Sequence, residues 1–165
     1  MQQLKRCFLS FVFFFGLWVL LTGISDPQEI ITGAIIACLA SSLFWSSTDL
    51  WGEVQINPKA ILYALIYPFV FAEALIRANL DVARRVIAPS LPINPGIVKV
   101  KTKLKSRIGK LILANSITLT PGTLTVETNG ENFYIHWIDV TSPDIEEASH
   151  QIVQKFEKYL EVIFG

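Results

Sequence analysis

A chain of 165 residues and 18.5 kDa has room for one compact domain, or for a few membrane helices and a small one. With 52% hydrophobic residues, 17% charged ones and a mean hydropathy of +0.46, the composition excludes an ordinary soluble domain and points to membrane. Formal net charge is zero, but the charges are layered: residues 77–110 hold nine Lys/Arg against Asp81 alone, and residues 111–165 hold two basic and eight acidic residues. A basic belt of this kind suits anionic lipid or an acidic partner.

Two windows, residues 7–25 and 30–48, are uncharged for 19 residues each, enough for a helix to cross about 30 Å of hydrocarbon at 1.5 Å per residue. Only "DPQE" separates them, which predicts a tight antiparallel hairpin with Asp26 capping a second helix that begins at Pro27. Lys5 and Arg6 precede the first window and the loop is acidic, so the positive-inside rule places the N-terminus, and everything after the hairpin, in the cytoplasm. Gly16, Gly33, Ala37 and Ala40 are small enough to let the helices approach. A cleaved signal peptide ending at Gly23-Ile24-Ser25 is a competing reading. Cys7 and Cys38 read as packing residues, since two cysteines at this spacing make neither a metal site nor a disulfide framework.

The third apolar stretch has only 13 uncharged residues, between Lys59 and Glu73. That length predicts an interfacial or half-inserted helix over about 58–88, kinked at Pro68. Glu73, Arg77, Asp81 and Arg84/Arg85 recur on one face, while Leu65, Phe69, Ala72, Ile76, Leu80, Ala83 and Ile87 share the opposite one. A genuine third span is the alternative, at odds with the charge rule. "PSLPINPG" (89–96) then forms a stiff connector.

In "IVKVKTKLK" (97–105) the apolar Val98, Val100 and Leu104 alternate with Lys99, Lys101, Lys103 and Lys105, a strand with one buried face and one row of ammonium groups. Those lysines suit contact with headgroups or an acidic neighbour, or simply protect a sheet edge. No aromatic platform accompanies them, which disfavours nucleic acid. A helix follows over 106–119, and Thr120-Pro121-Gly122 then forces a corner: proline keeps Thr120 extended and glycine permits a positive φ. "TLTVETNGENFYIHW" predicts a hairpin with Asn129-Gly130 at the centre of a type I′ turn, so that Leu124 faces Ile135, Val126 faces Phe133 and Gly122 faces Trp137. Ser142 is the expected cap of a last helix starting at Pro143, with Ile145, Ala148, Ile152, Phe156, Leu160 and Ile163 as its buried stripe.

The expected architecture is therefore a membrane α-helical hairpin (1–49), an interfacial helix and connector (50–95), and a small cytoplasmic α+β domain (96–165) of order β-α-β-β-α, ferredoxin-like in outline.

"ANLDVARRVIAP", "PINPGIVKVKTKLKS", "GKLILANSITLTPGTLTVE" and "FYIHWIDV" together resemble the E-type subunit of the Mrp-type multisubunit Na⁺/H⁺ antiporter, over essentially the whole chain. Equivalent subunits occur in membrane-bound hydrogenases and related respiratory complexes, and "PGIVKVKTKLKS" leans toward those or toward archaeal forms. The resemblance implies a multi-pass component of a cell-membrane complex, partnered by large antiporter-like subunits and small subunits of types B, C, F and G, with no cofactor and no small-molecule substrate of its own.

Ion conduction needs ionisable groups at membrane depth, and neither window contains one. Glu73 is the sole candidate, and an ion pair with Arg77 explains it more simply. Ser116, His136 and Asp139 are the residue types of an acyl-transfer triad, but the odd spacing of the last two on a strand points them to opposite faces. His136 and His150 form no recognisable metal motif. A scaffolding or coupling role remains, with Thr120, Pro121 and Gly122 as structural positions; a freestanding membrane-anchored regulator is the alternative.

Overall fold

A computed structural model describes residues 2–23, 26–43 and 53–165. The chain divides into two compact units, residues 1–54 and residues 55–165.

The first unit is a pair of packed helices, α1 (Gln2–Thr22) and α2 (Pro27–Leu43). Pro27 opens α2 and the Asp26 carboxylate accepts from the Gln28 amide at 2.9 Å, so the expected cap is in place. The helices close on each other where Trp18 covers Gly33: any Cβ there would run into the indole ring. The indole N–H donates to the Glu29 carbonyl at 3.0 Å, which locks the pair near its turn. Ala37 is buried as expected, whereas Gly16 faces open space. Leucine, isoleucine and phenylalanine side chains such as Phe8, Leu17, Ile35 and Leu39 point outward, as they do in helices solvated by lipid. Residues 44–48 of the second window, and Ile24 and Ser25 of the signal-peptide reading, lie outside the described residues.

The second unit opens with α3 (Pro58–Ile87), whose Asn57 side chain accepts from the Ala60 amide. At 30 residues, α3 is about 45 Å long. Among the described residues it alone is both long and apolar enough to cross a membrane, the stretches Cys7–Thr22 and Pro27–Leu43 being shorter. One of its faces is occupied by protein. Tyr63 meets Tyr159, Tyr67 and Phe71 both meet Phe156, and the Tyr67 hydroxyl hydrogen-bonds Ser116. Its opposite face, with Leu65, Phe69, Ile76 and Leu80, is exposed, Phe69 to 76%.

Three antiparallel strands follow, β1 (Gly96–Lys101), β2 (Thr123–Asn129) and β3 (Asn132–Trp137), in the order β1-β3-β2. Helices α4 (Arg107–Leu119), α5 (Ile145–Ile152) and α6 (Gln154–Phe164) complete the unit. Its core unites Val98, Val100, Leu104, Leu113, Ile117, Phe133, Ile135, Ile152, Phe156 and Leu160. The apolar stripe expected of the last helix is thus buried from Ala148 to Ile163, with Ile145 half-buried at its start, although α5 and α6 meet at Val153 rather than forming one uninterrupted helix. The cap is Asp144, not Ser142: its carboxylate accepts from the Glu146 and Glu147 amides, a stronger acceptor closer to the first turn.

Two expectations about the strands fail. The hairpin loop is Gly130-Glu131, flanked by paired Asn129 and Asn132, with a positive φ at Gly130 and none at Glu131, the II′ pattern and not I′. An irregularity between Thr125 and Glu127 shifts the pairing further. Leu124 therefore faces His136 rather than Ile135, Thr125 faces Ile135, Thr128 rather than Val126 faces Phe133, and Thr123 rather than Gly122 faces Trp137. Because one residue of slip turns a side chain to the other side of the sheet, Leu124 and Val126 are half-exposed, while the Thr125 hydroxyl donates to Ala114 of α4. The lysine strand also ends early, at Lys101. Beyond it the Thr102 amide still donates to the Glu131 carbonyl, but the buried Glu157 carboxylate accepts from the Thr102 hydroxyl and, at 2.7 Å, from the Lys103 amide, which gives that amide a side-chain partner.

Candidate functional site

Thr120, Pro121 and Gly122 form a bonded junction. Thr120 caps α4 in extended geometry, buried, its hydroxyl donating to the Ser116 carbonyl at 2.7 Å. Thr123 closes the turn, donating from its amide to Thr120 and from its hydroxyl to the carbonyls of Ile117 and Thr120. Gly122 has φ +90°, and its carbonyl accepts from the Ile138 amide at 2.9 Å. A Cβ there would meet Ile138 at 3.0 Å and Val82 of α3 at 3.7 Å. The corner thus touches α3, the end of α4, the start of β2 and the exit of β3.

The same junction holds an ion cluster that sequence reasoning missed. Arg85, on the last turn of α3, reaches Asp81 at 2.8 Å, Asp139 beyond β3 at 2.9 Å and the Pro92 carbonyl at 2.7 Å. Hydrogen bonding to Asp81 first, and to Asp139, raises the guanidinium pKa. Asn94 completes the tie: its amide donates to Ile138, its carbonyl accepts from Val140, and its side chain donates to Val140. The Arg85–Asp81 step was legible as an i,i+4 pair; Asp139, 54 positions from Arg85, carried no local signal. A cleft of about 290 Å³ opens beside the corner between Arg85, Gly122, Asp139 and Lys155.

Lys101, Lys103 and Lys105 are exposed and Lys99 is partly so, with Thr102, Leu104 and Ser106 buried between them. The alternation therefore survives past the end of β1, and none of the four lysines has an ion pair among the described residues. Glu73 and Arg77 do pair, at 2.7 Å, with both side chains well exposed on α3. Ser116, His136 and Asp139 are spent separately. Ser116 bonds Tyr67 and Ile112, His136 stands exposed on the outer side of the sheet between Ile97 and Leu124, and Asp139 holds Arg85. Among the described residues no three His, Cys, Asp or Glu side chains come together as a metal site.

The geometry is that of a bonded junction on an amphipathic frame. A family model described as MNHE, Na⁺/H⁺ ion antiporter subunit, matches residues 11–163. The chain is 31% identical to the E-type Na⁺/H⁺ antiporter subunit of Bacillus subtilis (strain 168), over 98% of this chain and 97% of that one. To the E-type subunit of Alkalihalophilus pseudofirmus it is 44% identical over 91 residues, 54% of this chain and 56% of the relative's length. Among solved structures, a chain of the membrane-bound sulfane sulfur reductase, an archaeal respiratory membrane complex, superposes with a TM-score of 0.84 at 45% identity, covering 97% of this chain and 99% of that one. The chain belongs to the MNHE family of Na⁺/H⁺ ion antiporter subunits, as the E-type subunits of its relatives do.

Proposed function

We propose that this chain is an accessory, non-conducting subunit that braces a cation/proton antiporter module. The observation that carries the reading is that neither apolar window, 7–25 or 30–48, contains an ionisable side chain, so neither offers a proton or Na⁺ a stepping stone. The hairpin anchors the chain. The exposed ridge of α3 lies along the cytoplasmic membrane surface, because its other face is already occupied by Tyr63, Tyr67 and Phe71 packing on α6. Lys99 to Lys105 meet headgroups or an acidic neighbour, and the corner fixes how α3, α4 and the sheet sit together. The succession β-α-β-β-α with β1 beside β3 supports a ferredoxin-like outline short of one strand. Large antiporter-like subunits and small subunits of types B, C, F and G are the partners. The 45% identity to a respiratory-complex chain, against 31% to a bacterial antiporter relative over similar coverage, favours a respiratory host.

Two measurements test this. Reconstituted alone in vesicles, the chain should leave a pH gradient unchanged on addition of Na⁺; a Na⁺-dependent collapse refutes the non-conducting role. Gentle solubilisation should release it in a particle of several hundred kilodaltons. A particle near monomer size would favour a freestanding membrane-anchored regulator instead.

A further inference from the structure

A second groove lies along the seam of α3 and α6, about 440 Å³ in volume, floored by Val70, Ala74 and Tyr159 and rimmed by Arg77, Lys155 and Lys158. Two acids also border it, and both are already matched: Glu73 by Arg77 at 2.7 Å and Asp81 by Arg85 at 2.8 Å. Lys155 and Lys158 have no carboxylate partner among the described residues; each lies over the ring of its neighbour, Phe156 or Tyr159, at 5.0 Å. Protein crowding lowers the Lys155 pKa, the mark of an ammonium whose water has been partly removed without a counter-charge to replace it.

The position of the groove on α3 identifies what fits. Arg77 follows Ile76 by one residue, a turn of about 100° around the helix, so the groove opens on the flank of the exposed ridge of Leu65, Phe69, Ile76 and Leu80. With that ridge against acyl chains, the flank stands about 5 Å above them, at the depth of lipid phosphates. Lys59 and Arg84 fall on the same flank of α3. We infer that the groove binds the phosphate of an anionic phospholipid between Lys155 and Lys158, with an acyl chain running down beside Val70 onto the ridge. An acidic protein segment would satisfy the cations but leave the adjoining ridge bare, whereas a phospholipid satisfies both. The inference rests on the reading that α3 lies along a bilayer.

The test uses the full chain in a neutral detergent, with phosphatidylglycerol and phosphatidylcholine added in parallel and retained lipid counted by native mass spectrometry. Preference for phosphatidylglycerol should fall about thirtyfold in Lys155→Gln/Lys158→Gln. It should persist in Lys155→Arg/Lys158→Arg, and in Arg107→Gln/Lys110→Gln on α4, which removes the same charge elsewhere. Equal loss in the last variant means diffuse surface attraction and overturns the site. Competition by millimolar inorganic phosphate as effective as that by the lipid assigns the groove to a free anion and overturns the lipid. Loss of a partner protein from the whole complex, with lipid retention unchanged, assigns it to an acidic protein and overturns it too. A spin label at Phe69→Cys, on a Cys7→Ser/Cys38→Ser background, separates the two readings. A label in lipid with unchanged phosphatidylglycerol retention refutes the groove alone. A label in water with retention lost in Lys155→Gln/Lys158→Gln refutes the placement of α3 alone.

Discussion

Replacing Gly122 by alanine tests how tightly the corner is built. Its φ of +90° is one that an L side chain adopts at a cost of about 1–2 kcal/mol. The new methyl would also stand 3.0 Å from Ile138 Cγ2, closer than carbon atoms rest, and relief by shifting β3's exit or Val82 of α3 adds about 1–2 kcal/mol. Gly130 supplies the control, since its φ is +62° but nothing lies within 4 Å, leaving the backbone cost alone. For a unit of this size each kcal/mol moves the melting temperature by about 4 °C. Thermal unfolding of the full chain in detergent, followed by circular dichroism, should therefore show Gly130→Ala lower by about 4–8 °C and Gly122→Ala by about 8–16 °C. Equal shifts would refute the close approach of the corner to Ile138. In the whole complex, Gly122→Ala should lower assembly and ion exchange together; normal amounts of a fully active complex would refute the corner's role.

Glu157→Ala should cost about 2–4 kcal/mol in chemical unfolding, because the Thr102 hydroxyl and Lys103 amide lose a buried charged acceptor. A change below about 1 kcal/mol would refute its part in ending β1. Gly33→Leu drives a side chain into the Trp18 ring and should part α1 from α2, read as faster amide exchange across 27–43 by hydrogen–deuterium mass spectrometry; unchanged protection would refute the packing. Lys155 has a pKa lowered by desolvation, so the unfolded chain binds more protons between the native value and the ordinary 10.5. Stability should rise with pH through that window and stay level below it, where both states hold the proton, and Lys155→Met should flatten the slope; a slope of opposite sign would refute the desolvation.

Features fixed by local chemistry were legible in the sequence. Asp26-Pro27 marked a helix start, the spacing Ile152, Phe156, Leu160 marked a buried stripe, and Pro121-Gly122 marked a corner, each within a few residues of chain. The β2 register was not, because Asn129-Gly130 and Gly130-Glu131 both make acceptable two-residue loops. The choice is made with the help of Thr125, whose hydroxyl finds the Ala114 carbonyl across the unit. Glu157 was hidden for the same reason: beside Phe156 on an amphipathic helix it looks like a solvated acid, and only the fold brings the Thr102 turn to it. The stripe of Leu65 to Ile87 was read as the apolar face of α3, but the tyrosines and Phe71 opposite it form a second one, and no single-helix pattern says which of two faces meets protein.

That doubled face constrains anyone who cuts the chain. Removing the first 54 residues deletes the hairpin yet leaves a greasy keel of Leu65, Phe69, Ile76 and Leu80 on the remaining piece, which would precipitate or self-associate in plain buffer. Exchanging the keel for glutamate and lysine, while sparing Tyr63, Tyr67 and Phe71, is the route to a water-soluble version of the same unit.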